Sequence, residues 1–378
     1  MKSRSLFFDT SLIYFIVIVI FVGVRIFANL VNIPEVLAES LNVFIQCIMV
    51  IIPLFLYKAL QKRSVSETLS DFKVKRISFK AIIIAVLIGF IVYFTNLAVA
   101  SFFNIFIYGV GYDPSFGMSS ASSSGYTLVQ FLGDLVVTAI LPGICEEFCH
   151  RGLLMKGFEG LKMKKKIILV GILFGLMHLN IEQFFFASVI GMFLCLLVCV
   201  SGSIIPSMIV HFMNNAMGLY IVFAGEHNLP LGDFSSNLKN VLSGSASSII
   251  FTILIIVVVL MSLLVLLTYL LFKYTRINEL KKVANRALER KQREEILKML
   301  DIEEDKENDN SEYDENEPEV IFRRYNGRQF VDINFKNNPF IEDVVVAKKH
   351  TLQEKAFLYA TVFLGIVITI STLIWGIM

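Results

Sequence analysis

The chain is short of charge. Only 17% of its 378 residues are Asp, Glu, Lys or Arg, where a soluble protein carries about 25%. Hydrophobic residues make up 56%, there are 34 Phe against a single Trp, and mean hydropathy is +0.69. That much apolar surface cannot be hidden inside one soluble globule, which excludes an ordinary two- or three-domain soluble protein of this length. Five Cys are too few for a disulfide framework. Cys47, Cys145, Cys149, Cys195 and Cys199 all fall in or beside apolar runs, where Cys packs as a small hydrophobe. Net charge is +2, and no nucleic-acid partner is expected. No His-Glu-x-x-His occurs, which removes the usual zinc-protease helix, and no Gly-x-Ser-Gly, which removes a rhomboid-type serine.

What is present is a series of long apolar runs. A span needs about 20 apolar residues to cross a hydrocarbon layer of ~30 Å. The runs predict spans at Leu6–Leu30, Leu41–Leu60, Ala81–Phe103, Thr127–Cys145, Ile167–Leu179, Phe184–Val200, Ile204–Ala224, Ile249–Phe272 and Ala356–Ile377. The fifth is short and is followed by Asn180 and Glu182, so it sits inside the bundle or continues past its apolar part. The expected fold is an all-α, multi-pass transmembrane bundle of about eight to nine spans. Basic residues alternate with the spans: Lys2 and Arg4, then Lys62 to Arg76, then Lys156 to Lys166, then Arg276 to Arg290. The intervening loops hold Asp113, Glu226 and Asp233 but little Lys or Arg. With nine spans every basic segment falls on one side, which the positive-inside rule makes cytoplasmic. The N-terminus is then inside, the C-terminus outside, and the location a cell membrane.

The chain divides into N-terminal transmembrane helices (1–125), a helical core (126–225), the eighth span (226–273), a charged cytoplasmic insertion (274–354) and a C-terminal transmembrane helix (355–378). Ser115–Gly125 reads as a flexible small-residue outer loop. The insertion opens on a basic stretch, Arg276 to Lys298, that could extend the eighth helix. The acidic run Asp301–Glu319 repels itself and reads as disordered. Val320–Phe335 is a strand-like mixture of apolar and aromatic residues.

A charge at mid-span costs about 2.5–3.5 kcal/mol on insertion scales, so such residues need partners and are functional candidates. Here they cluster between Asp134 and Asn215. In Cys145-Glu146-Glu147-Phe148-Cys149-His150-Arg151, Glu147 and Arg151 are four apart, in the favourable order for an ion pair. Glu146, about 100° away, is left to face elsewhere. His178 lies about 18 Å along its helix from Lys166, at ~1.5 Å per residue, with Phe174 one turn before it. His211 and Asn215 share a face, with Asn214 about 100° away. Each group alone also reads structurally: a solvated salt bridge, a packing histidine, interhelical hydrogen bonds. Together they are the parts of amide hydrolysis. A carboxylate and a His activate water, and a His and a carboxamide donate to an oxyanion.

Glu146-Glu147-xxx-Arg151, Phe174-xxx-His178 and His211-xxx-Asn215, in that order, resemble the CAAX prenyl protease type II family, also called CPBP or Abi, whose eukaryotic members are the Ras-converting enzymes. The resemblance covers roughly Thr127–Ala224. It implies an intramembrane endopeptidase in which Glu146 and His178 activate the attacking water and His211 with Asn215 forms the oxyanion hole. Glu147 and Arg151 would support the helix geometry, and Phe174 would shape the pocket. The implied partner is a peptide or protein substrate, prenylated in the eukaryotic relatives or embedded in the bilayer, cut near the cytoplasmic face or within the membrane. Two His and a Glu (His178, His211 and Glu146) could also hold zinc. Asn215 is a poor zinc ligand and a good oxyanion donor, so a metal-free site is the reading adopted. Tyr112-Asp113 and Gly133-Asp134 imitate fragments of a presenilin-type aspartyl pair, and Asp134 reads better as a helper or pocket residue. The rivals are an ion-coupled transporter, with helices broken at Pro142-Gly143 and Pro206 but no evident inverted repeat, and a non-catalytic scaffold, regulator or bacteriocin-immunity protein.

Overall fold

The computed structural model describes residues 5–31, 34–112, 125–234, 246–277, 319–325, 328–334 and 351–377. The architecture is the expected all-α, multi-pass bundle. Its elements are α1 (Leu6–Val31), α2 (Glu35–Gln61), the short α3 (Val65–Asp71), α4 (Phe79–Gly109), a broken rod described below, α8 (Met163–Met177), α9 (Ile181–Ser201), α10 (Ile205–Glu226), α11 (Ala246–Phe272) and α12 (Leu352–Ile377). Eight of the described helices, counting the rod as one, are long and apolar enough to cross a bilayer. With 15 residues, α8 is about 22 Å long and is not among them. Within the insertion, two strands pair antiparallel, β1 (Glu319–Tyr325) with β2 (Arg328–Asn334), in the stretch whose mixture reads as strand-like. The loop 115–124, the basic stretch 278–298 and the acidic run 301–318 lie outside the described residues.

The rod runs from Leu128 to Gly157 and changes helix type four times. It comprises α5 (Leu128–Asp134), a π-helical turn (Leu135–Ile140), α6 (Leu141–Glu147), a second π-helical turn (Phe148–Leu154) and α7 (Met155–Gly157). Thr127 starts it with a capping box closed by Gln130. Its two π turns bracket Pro142 on one side and contain His150 and Arg151 on the other. Such turns widen the backbone spiral and re-aim side chains.

The described parts of the basic segments gather at one end of the bundle. There, Lys156 pairs with Asp71 at 3.0 Å, Ile204 N–H donates to the Lys73 carbonyl at 3.0 Å, and Ser203 Oγ donates to the Lys75 carbonyl at 2.6 Å. Gln61 joins Asp9 at 2.6 Å, and the Arg276 guanidinium lies against Gly202. Chain ends from α1, α2, α4, the rod, α9, α10 and α11 meet here. The loop 158–162 is too short to carry the start of α8 elsewhere. At the opposite end, Ile181 N–H donates to Thr372 Oγ1 at 3.0 Å and His227 bonds the Tyr126 carbonyl at 2.9 Å. Among the described residues nine helical passes therefore alternate between the two ends, α8 included, although α8 alone is too short to span.

Small residues let α8 and α9 approach closely. Gly171 and Gly175 on α8 face Ser188, Gly191 and Met192 on α9. A Cβ on Gly175 would strike Ser188 Oγ and lie 2.6 Å from the Phe184 carbonyl oxygen. This is the small-xxx-small contact that suits membrane helices, where no hydrophobic drive pulls helices together. Large side chains such as Phe102, Val129 and Phe363 are exposed and form the apolar exterior a bilayer requires.

Candidate functional site

Glu147 and Arg151 are the most deeply buried charges of the site, both fully enclosed. Arg151 Nη1 donates to Glu147 Oε1 at 2.7 Å, and Nη2 donates to the Gly191 carbonyl at 2.9 Å. The guanidinium also stacks over Phe174, 4.5 Å from the ring centre. One side chain thus ties the rod, α8 and α9 together. The i,i+4 pair expected from the sequence is present, but it is buried rather than solvated. Glu147 Oε1 also accepts from His211 Nδ1 at 2.9 Å.

Glu146 turns the other way. It receives Gln46 Nε2 of α2 at 3.0 Å, and its Oε2 lies 4.0 Å from His211 Nε2. His178 closes α8. Its own N–H goes back three residues, to Gly175, so the Phe174 carbonyl loses its helical donor. The His178 ring fills that vacancy, with Nδ1 2.9 Å from the Phe174 oxygen. A carbonyl only accepts, so Nδ1 carries the hydrogen and Nε2 is left with its lone pair. Leu179 follows at φ 54, a left-handed turn that sends the chain back into α9.

The same logic fixes two more rings. His211 gives its Nδ1 hydrogen to the Glu147 carboxylate, so Nε2 is the atom turned towards Glu146. His150, fully buried, gives Nδ1–H to the Glu146 carbonyl at 2.8 Å, and its Nε2 accepts from Tyr14 Oη at 3.0 Å. Phe174 is the hub of all three: its ring centre is 5.1 Å from His150, 5.0 Å from His178 and 5.6 Å from His211.

Asn215 is placed by a proline. Pro142 has no N–H to offer the carbonyl four residues back, Thr138, and Asn215 Nδ2 donates to that carbonyl at 3.0 Å. Asn214 Nδ2 in turn reaches Asn215 Oδ1 at 3.1 Å, and Asn96 of α4 reaches Asn214 at 3.4 Å. Both Asn line the same space, so the expected separation of Asn214 from the site does not hold. The helix turns it away from His211, but α4 closes round it.

Glu146, Phe174, His178, His211 and Asn215 all line one cavity of about 980 Å³, together with Arg25, Gln46, Asn96, Thr138 and Asn214. Glu147 and Arg151 stand behind its wall. Asp134 is not part of it. Tyr126 Oη donates to Asp134 at 2.6 Å near the end of the bundle, so Asp134, read as a helper or pocket residue, stands apart from this cavity. Sequence reasoning did not single out Arg25, Gln46, Asn96, Asn214 or Tyr14 for the site. Their signal was weak: isolated polar residues on otherwise apolar helices.

Among the described residues no three His, Cys, Asp or Glu side chains come close enough to hold a metal ion. No curated protein and no solved structure matches the chain at a significant level. Residues 128–217 match a family model described as type II CAAX prenyl endopeptidase Rce1-like. The match begins with the rod and ends two residues after Asn215. Residues 128–217 of this multi-pass membrane protein are thus similar to type II CAAX prenyl endopeptidases of the Rce1-like kind.

Proposed function

We propose that this protein is an intramembrane endopeptidase of the CAAX protease type, and that Glu146, His178, His211 and Asn215 carry out peptide hydrolysis. One observation supports this above the rest: an acid, two imidazoles and a carboxamide from three chain segments line a single cavity. Glu146, backed by Gln46, has a carboxylate oxygen free to take a proton from water. His178 presents an Nε2 lone pair as a second acceptor. The water oxygen attacks the scissile carbonyl carbon, and its proton passes to Glu146. Asn215 keeps one amide hydrogen to offer the oxyanion. His211 can donate from Nε2 when the ring carries both protons, Nδ1–H being committed to Glu147. Collapse of the tetrahedral intermediate breaks the C–N bond, and Glu146 returns its proton to the leaving amine. The products are a carboxylate and an amine, and no step needs a metal.

Glu147 and Arg151 act through His211 rather than on the substrate. The substrate is a peptide or protein chain held in the bilayer, and the expected location is a cell membrane. The test is comparative proteomics of cells carrying the wild type or Glu146→Ala. An uncut membrane-associated peptide accumulating only in the variant is the expected result. Identical peptide profiles, with both proteins well expressed, would reject the proposal. A scaffold or immunity protein would keep its activity in Glu146→Ala, His178→Ala and His211→Ala, and a transporter would show coupled ion uptake in liposomes.

A further inference from the structure

The cavity is not placed symmetrically in the bundle. Its inner part is formed by Glu146 of the rod and His211 to Asn215 of α10, and most of the rest of its lining comes from parts of five helices that lie away from the basic end: Phe21 to Leu30 late in α1, Asn42 to Gln46 early in α2, the last turn of α8, Gln183 to Ile190 early in α9, and Ile368 to Thr372 late in α12. Exposure rises along this path. Glu146 is 8% exposed, whereas the polar lining residues Asn42 and Gln183 are exposed.

Towards the basic end the space is closed. Tyr14, Tyr57 and Phe72 are buried to 1% exposure or less, and the rings of Tyr57, Phe72 and Phe148 meet edge to face at 4.9 and 5.1 Å. Phe72, at the C-terminus of α3, also rests on Gly152 of the rod, where a Cβ would approach to 3.1 Å. Behind it the Tyr14–His150 bond and the Glu147–Arg151 pair fill the section. A peptide coming from the basic side would have to displace this packed layer together with a buried ion pair.

We propose that the cavity takes its substrate from the side of the membrane opposite the basic segments. Under the positive-inside rule that is the extracytoplasmic side. The substrate class is then a chain whose cleavage region lies in or beside the outer leaflet, such as the membrane-anchored end of an exported peptide, and not a tail presented from the cytoplasm. Of the two places the sequence left open, near the cytoplasmic face or within the membrane, this route favours the second. It rests on the protease reading for the word substrate, but the route itself is open to test without catalysis.

Thiol labelling measures the route. Cys47 is exposed and the other four Cys are buried, so Cys47→Ala gives a quiet background. Into it go Ser371→Cys in the cavity lining, Gln183→Cys at its rim as a second probe, and Ser66→Cys on α3 at the basic end. A charged, membrane-impermeant methanethiosulfonate is applied to intact cells and to inverted membrane vesicles. The expected result is labelling of Ser371→Cys and Gln183→Cys at least tenfold faster in intact cells, and of Ser66→Cys at least tenfold faster in vesicles. All probes reacting from one side, Ser371→Cys reacting faster in vesicles, or Ser371→Cys reacting from neither side, would each overturn the proposal. Labelling as expected in a protein that cleaves nothing would uphold the route and remove the protease reading, so the two failures are separable.

Discussion

Glu147 holds His211 by its Nδ1 hydrogen, 2.9 Å from the carboxylate, while the same oxygen takes Arg151 at 2.7 Å. Two ionisable donors, one from the rod and one from α10, therefore share one buried carboxylate oxygen. Removing one partner from such a set strands the others. Arg151→Ala is expected to destabilise the protein by about 3–5 kcal/mol, because Glu147 loses its buried counter-charge. Arg151→Lys should not restore it, since a single ammonium cannot serve both Glu147 and the Gly191 carbonyl in the fork geometry. Replacing the pair with Glu147→Leu and Arg151→Met should recover much of the stability, but not cleavage, because His211 loses its orientation. Thermal unfolding in detergent, read beside peptide cleavage, separates the two effects.

Glu146→Gln keeps the shape of the side chain and can still bond to Gln46, so folding should be unchanged. It cannot take a proton from water. Cleavage should fall by about 10²–10⁴, the usual contribution of a general base. Single-turnover assays on the purified protein check this, and a fully active variant would contradict the role given to Glu146.

Asn215→Ala and Asn214→Ala should behave differently although both line the cavity. Asn215 shares the helix face of His211 and is held by the Thr138 carbonyl with a hydrogen left for an oxyanion, whereas Asn214 lies about 100° round the helix and is held between Asn96 and Asn215. Loss of Asn215 should lower kcat by about 10²–10³ with little change in KM. Loss of Asn214 should act more weakly, through the orientation of its neighbour. Equal effects of the two would mean that the carboxamide touching the reaction has been misassigned.

Gly175→Ala tests the α8–α9 contact that places His178 and Phe174. Its Cβ would land on Ser188 Oγ and the Phe184 carbonyl. Removing the hydroxyl by Ser188→Ala clears only the first of these. Overpacking of this kind costs about 1–3 kcal/mol, so the double variant should remain less stable than Ser188→Ala alone. Thermal unfolding of the four-protein cycle gives the answer.

Deleting Asp301–Glu319 should leave peptide cleavage intact, since this acidic, self-repelling run lies in sequence outside residues 126–225, which carry the candidate site. Loss of cleavage in a well-folded deletion would show that this stretch belongs to the active unit.

Composition and hydrophobic run length alone determined that the chain is a bundle of membrane helices, because unpaired apolar surface on this scale has no other solvent. The spacing of Lys and Arg determined which chain ends lie together. The i,i+4 spacing determined the Glu147–Arg151 pair, since residues four apart on a helix face the same way. Three things lay beyond any local rule and were decided by tertiary structure. His211 found Glu147 across 64 positions, and the carbonyl freed by Pro142 found Asn215 on another helix. The direction in which the cavity opens depends on where the aromatic layer of Tyr57, Phe72 and Phe148 packs, and those three rings come from three separate segments. Periodicity fixes which face of one helix is polar. It does not fix which helix that face will meet, and a site built between helices exists only once they have packed.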